Sequence, residues 1–91
     1  MKITIKNQST IFGDKIINAK EGVYKYTTKS SIAREEGPYY FDYETFYVEV
    51  DNGCLEVIVG DQVFELQTGR DGHIGVCPMK NEAGEIVGLF V

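Results

Sequence analysis

Between Phe46 and Gln67, apolar residues recur at every second position, and the pattern is broken only at Asn52-Gly53 and Gly60-Asp61. Spacing of two marks strands with one buried face. The two interruptions are the residue types that tight hairpin turns demand: a type I′ turn needs positive φ at both central residues, and a type II′ turn needs Gly first. Asn52-Gly53 as a two-residue loop predicts Val50 opposite Leu55, Val48 opposite Val57 and Phe46 opposite Val59 on an inner face. On the outer face it predicts Asp51 opposite Cys54, Glu49 opposite Glu56 and Tyr47 opposite Ile58. Gly60-Asp61 predicts Leu55 opposite Leu66 and Val57 opposite Phe64 within, and Glu56 opposite Glu65 and Ile58 opposite Val63 outside. Both turns give one consistent apolar face, so the register expected is a central three-stranded meander.

The remaining chain reads the same way. Strands are expected at Lys2–Lys6, weakly at Ser9–Ile17, and at Val23–Lys29, Tyr39–Asp51, Cys54–Val59, Gln62–Gln67, His73–Cys77 and Glu85–Phe90. Alternation changes phase between Tyr39, Phe41, Tyr43 and Phe46, Val48, Val50, so a bulge near Thr45 would bend Tyr39–Asp51 into a strand serving two sheets. Asn81–Gly84 reads as a hairpin loop, and the apolar finish Ile86–Val91 as packed, in this chain or against a second copy. A single short helix is expected at Ser31–Glu36, with Ser30 or Ser31 at its cap and Gly37-Pro38 after it. The fold class is all-β: a small antiparallel barrel or sandwich with at most one short helix, a single domain over residues 1–91.

Composition narrows the setting. An apolar fraction of 43% in 91 residues supports a folded core rather than disorder. The start, Met1-Lys2-Ile3-Thr4-Ile5-Lys6, alternates and reads as a strand, not a signal peptide. No run approaches the roughly 18 apolar residues of a membrane helix. A cytoplasmic protein with no membrane partner is expected, with Cys54 and Cys77 as reduced thiols. With a single His and no Cys-x-x-Cys pair, neither a zinc site nor a cofactor is expected.

Charge is distributed unevenly. Glu35, Glu36, Asp42, Glu44, Glu49, Asp51, Glu56, Asp61 and Glu65 fall in a segment without Lys or Arg, while Lys2, Lys6, Lys15, Lys20, Lys25, Lys29 and Arg34 precede it. In the predicted meander Glu49, Glu56 and Glu65 form one row, and like charges directly opposed destabilise a sheet. The row can splay into water or find N-terminal lysines, dock a basic protein surface, or hold a divalent cation. The last suits a flat row of Glu poorly, because calcium wants six to eight oxygens with loop carbonyls among them. A second row, Tyr47, Ile58 and Val63, lies beside the acidic one; apolar anchors next to charges resemble an interface.

Tyrosines cluster, notably Tyr40, Tyr43 and Tyr47. Tyrosine stacking of single-stranded nucleic acid needs a basic groove, and here Asp42 and Glu44 interleave the aromatics, so direct nucleic-acid binding is disfavoured. The loop Thr68–His73, with Arg70 and His73, is the candidate for an anion, with Tyr43 lining the pocket. No phosphate loop, dinucleotide fingerprint, zincin helix or nucleophile elbow occurs, so an enzyme is not expected. The leading expectation is a binding protein that presents Glu49, Glu56, Glu65, Tyr47, Asp42, Glu44 and Tyr40 to a basic protein partner, such as a nucleic-acid-binding protein whose site a phosphate-mimicking inhibitor of phage type would block. The alternative is an oligomeric binder of small anionic ligands through Arg70, His73 and Tyr43, or a structural assembly subunit.

Overall fold

The computed structural model describes residues 1–8, 13–34, 37–41 and 46–91. These form strands β1 (Lys2–Ile5), β2 (Lys15–Asn18), β3 (Lys25–Thr28), β4 (Ser31–Ala33), β5 (Tyr40–Phe41), β6 (Phe46–Val50), β7 (Cys54–Val59), β8 (Gln62–Gln67), β9 (Gly72–Lys80) and β10 (Ile86–Phe90). A four-stranded sheet runs β2-β1-β7-β8; a six-stranded sheet runs β3-β4-β10-β9-β5, with β6 also on β9. All pairings are antiparallel. The two sheets pack against each other as a small sandwich, the all-β architecture expected.

Alternation in sequence becomes alternation in burial. Ile3, Ile5, Leu55, Val57, Val59, Phe64 and Leu66 turn inward from the first sheet, and Ile32, Val48, Val50, Ile74, Val76 and Leu89 meet them from the second. A fully buried Val, Leu or Ile contributes about 1.5–3 kcal/mol, so these thirteen residues dominate folding. Tyr24 joins them, with its hydroxyl donating to the Lys20 carbonyl at 2.7 Å. The β7–β8 hairpin has the expected register, Leu55 opposite Leu66, Glu56 opposite Glu65 and Ile58 opposite Val63. Gly60 carries the positive φ (58°) and Asp61 does not, as a type II′ turn requires.

The other hairpin of the meander does not form. β6 pairs with β9, setting Glu49 opposite His73 and Tyr47 opposite Gly75, and β7 pairs with β1 instead, Ile5 opposite Val57. Asn52 keeps a negative φ; its Oδ1 accepts the Cys54 N–H at 3.1 Å, and only Gly53 turns left-handed, at 72°. That Asx-type turn passes the chain from one sheet to the other instead of folding it back. Val48, Val50, Leu55 and Val57 reach the same core either way, since residues facing across a sandwich satisfy the alternation as well as residues side by side.

Two other expectations change, and a third, the packed C-terminal run, is met. Ser31–Ala33 is the buried strand β4 between β3 and β10, not the start of a helix, because Ser31, Ile32 and Ala33 are all sequestered; among the described residues there is no helix. Tyr39–Asp51 does not divide itself between two sheets: its described strands β5 and β6 both pair with β9, Phe41 opposite Met79 and Phe46 opposite Val76, and the expected bulge near Thr45 lies outside the described residues. The C-terminus packs within its own chain: Val87 and Leu89 are buried, and the Val91 N–H donates to the Ser30 carbonyl at 2.9 Å.

Side chains and loops close two sheet edges. Beside β8, Gln62 brackets the Tyr24 backbone, accepting its N–H at 3.1 Å and donating to its carbonyl at 3.2 Å. Further along, the Glu65 N–H donates to the Tyr26 hydroxyl and the Gln67 N–H to the Lys29 carbonyl. Beside β6, the Glu49 N–H donates to Asn7 Oδ1, the Gln8 N–H to the Glu49 carbonyl, and the Asp51 N–H to Gln8 Oε1. Covered edges resist pairing with other chains.

Candidate partner-binding face

One face of the four-stranded sheet is the inner wall of the core; the other is open. The ladders line up its outward side chains. Thr4 stands opposite both Ile16 and Ile58, and Ile58 opposite Val63, which makes a row Ile16, Thr4, Ile58, Val63 across all four strands. Ile16 is 60% exposed and Val63 58%, large apolar groups that no second layer covers among the described residues.

The adjacent row is charged. The Lys6 N–H donates to the Glu56 carbonyl at 3.0 Å, extending the β1–β7 ladder by one rung, and Glu56 faces Glu65. On its other side Lys6 reaches Asp14, Nζ to Oδ2 3.1 Å. The row therefore reads Asp14, Lys6, Glu56, Glu65. The Asn7 backbone N–H, 3.1 Å from Asp14 Oδ1, and next the Lys6 ammonium hold the Asp14 carboxyl below the usual carboxylate range. Lys6 lies beside Glu56 on one side; the face ends on the exposed Glu65. There Tyr26, 52% exposed, borders it, with its ring edge-on to Phe64 at a centroid distance of 5.1 Å.

The structure splits the expected contact residues. Glu56 and Glu65 come together as read. Glu49 leaves their row for the second sheet, where its Oε1 lies 2.7 Å from His73 Nε2. Tyr47 also leaves the row of Ile58 and Val63, and is exposed above Gly75; Tyr40 is exposed opposite Lys80. Asp42, Tyr43 and Glu44 lie outside the described residues. Of the anion-loop residues, His73 is taken by Glu49 and lines a cleft of about 180 Å³ with Asn7, Lys15, Tyr47, Val48 and Glu49; Arg70 is not among its walls. A wider opening of about 410 Å³ under the β9–β10 hairpin carries both signs of charge, and neither Arg70 nor His73 lines it.

Ile16, Asp14, Lys6 and Tyr26 belong to the face and were not singled out from the sequence. Lys15–Asn18 alone shows too little alternation to mark a face, and nothing local says that β1 inserts beside β7. Comparison with family models, with curated proteins and with solved structures found no match. No helix among the described residues is long and apolar enough to cross a membrane. Carboxylates beside exposed aliphatic side chains on a flat sheet offer recognition by contact and charge.

Proposed function

We propose that this protein is a non-enzymatic binding module whose working surface is the outward face of the four-stranded sheet, and that its partner is a protein with a basic surface. The observation that carries this reading is the pair of parallel rows: Ile16, Ile58 and Val63 give apolar contact area, while Asp14, Glu56 and Glu65 beside them select the partner by charge. Interface energy concentrates in desolvated apolar anchors, and flanking charges govern encounter rate and choice of partner. The opposed Glu56 and Glu65 gain a further reason to be kept: a cation from the partner relieves a repulsion that the free protein bears. Basic surfaces of nucleic-acid-binding proteins have this chemistry, and a carboxylate row on a sheet can stand in for phosphates.

The test is capture from native lysate with the wild type, a Glu56→Lys/Glu65→Lys double variant, a Val63→Asp variant and a Glu49→Gln variant. A specific protein retained by wild type and Glu49→Gln, lost by the other two and weakened by added salt is the expected result. A partner indifferent to Glu56, Glu65 and Val63 would overturn the assignment of this face.

A further inference from the structure

The geometry points to self-association of this protein through the edge of β2, a second copy pairing antiparallel with the first about Ile16. The direction of the backbone groups carries the argument. Met1 and Ala19 exchange both hydrogen bonds, the N-terminal amine donating to the Ala19 carbonyl at 2.9 Å and the Ala19 N–H to the Met1 carbonyl at 2.8 Å. In an antiparallel ladder such rungs alternate, so Ile17 and Lys15 turn their backbone groups toward Ile3 and Ile5. Ile16 and Asn18 turn theirs away. Lys20 shows the same phase, because its N–H points outward and donates to the Ile86 carbonyl at 2.8 Å. That bond also marks where β10 begins to cover the edge.

What remains is a short template at Ile16 and Asn18, with Asp14 at its far end. Its register shows no bulge, it contains no Pro, and no charged side chain lies on its outward face between Asp14 and Lys20. Outward-directed groups meet only in registers that pair even-numbered residues. The register centred on Ile16 uses every outward-directed backbone group from Asp14 to Asn18, which pair with no other strand among the described residues, and stops short of Lys20. It sets Ile16 beside Ile16 of the second copy, and Asp14 beside Asn18 in both directions, a carboxylate opposite an amide donor. No like charges are directly opposed. A foreign strand would have to supply this match; a second copy supplies it by symmetry, as a two-fold interface requires. The two apolar rows Val63, Ile58, Thr4, Ile16 then run on as one across a continuous sheet.

Sedimentation of the full chain from micromolar to millimolar concentration tests this. The expected result is a mass rising from 10.2 kDa to twice that value, and persisting in high salt, because the pairing is backbone and apolar. Salt resistance separates it from the charge-dependent partner binding above. Ile16→Lys sets two ammonium groups side by side at the axis and should weaken association at least tenfold, with the circular dichroism spectrum unchanged. Asn18→Pro, which removes an N–H that β1 does not use, should do the same, and Ile58→Lys, away from the edge, should not. A wild type that stays at 10.2 kDa at millimolar concentration would overturn the proposal, and so would a dimer that survives both edge variants.

Discussion

Glu49 and His73 face each other across the β6–β9 ladder, with Oε1 of the one 2.7 Å from Nε2 of the other. The pair is exposed on the His side, where the side chain retains 72% of its accessibility. Such pairs are worth little, about 0–1 kcal/mol. Glu49→Gln is therefore expected to leave urea unfolding within about 0.5 kcal/mol of wild type. A larger loss would mean that the pair organises the 180 Å³ cleft it borders.

The opposed glutamates behave differently. Glu56 has the Lys6 strand on one side and Glu65 on the other, so Glu65 is the better place to relieve repulsion. Glu65→Lys turns a like pair into an opposite pair, and its backbone N–H bond to the Tyr26 hydroxyl is untouched. Stability should rise by roughly 0.5–1 kcal/mol, read as a higher Tm, and the gain should shrink as salt is added.

Gln62 is the hinge between β8 and the segment entering β3. It satisfies both the N–H and the carbonyl of Tyr24, whose side chain is 1% exposed. Gln62→Leu keeps the bulk and removes both of these hydrogen bonds. Each lost hydrogen bond is worth about 0.5–1.5 kcal/mol, so stability should fall by about 1–3 kcal/mol in chemical denaturation, and hydrogen exchange at Tyr24 should accelerate.

Gly88 lies where the β9–β10 register shifts, between Ile86 opposite Lys80 and Gly88 opposite Met79. A Cβ there would lie 2.5 Å from the Ile32 carbonyl oxygen and 3.1 Å from the Ala33 Cα. Neighbouring backbone cannot yield as a flexible side chain can, so Gly88→Ala should destabilise by at least the 1–3 kcal/mol typical of overpacking. Thermal melts of Gly88→Ala beside Gly84→Ala, whose Cβ would meet open space at φ 78°, separate crowding from the backbone strain of a positive φ.

Acid should weaken this protein in a defined window. Asp14 and Glu85 both have carboxyls held below their ordinary range, Asp14 by the Asn7 N–H and Lys6, Glu85 by the Asn81 amide and then Lys20. A lowered native pKa means the unfolded chain binds more protons, so the stability from these contacts is full above the ordinary carboxylate pKa of about 4 and is lost as pH falls below it. Asp14→Asn should flatten the stability-versus-pH curve below about pH 4 and leave its slope above pH 6 unchanged.

Which residues face inward was legible in the sequence; which strands are neighbours was largely not. Alternation placed Val48, Val50, Leu55, Val57, Val59, Phe64 and Leu66 on the buried side, and Gly60-Asp61 fixed the β7–β8 register, because both depend on groups only a few bonds apart. Asn52-Gly53 carried an equally strong local signal, yet Asn52 spent its side chain on the Cys54 N–H, and β1 arrived to fill the edge of β7. Pairing β1 with β7 joins residues more than fifty positions apart, a choice made by how two sheets close one core. The glutamate row followed the same division. Glu56 and Glu65, linked by a local turn, stayed together, while Glu49 went to the second sheet and Asp14 and Lys6 came in from the N-terminus. The sequence by itself determined an all-β chain and its apolar faces; the tertiary structure decided strand order, and with it which charges share a surface, since side-chain period specifies a face but not a neighbour.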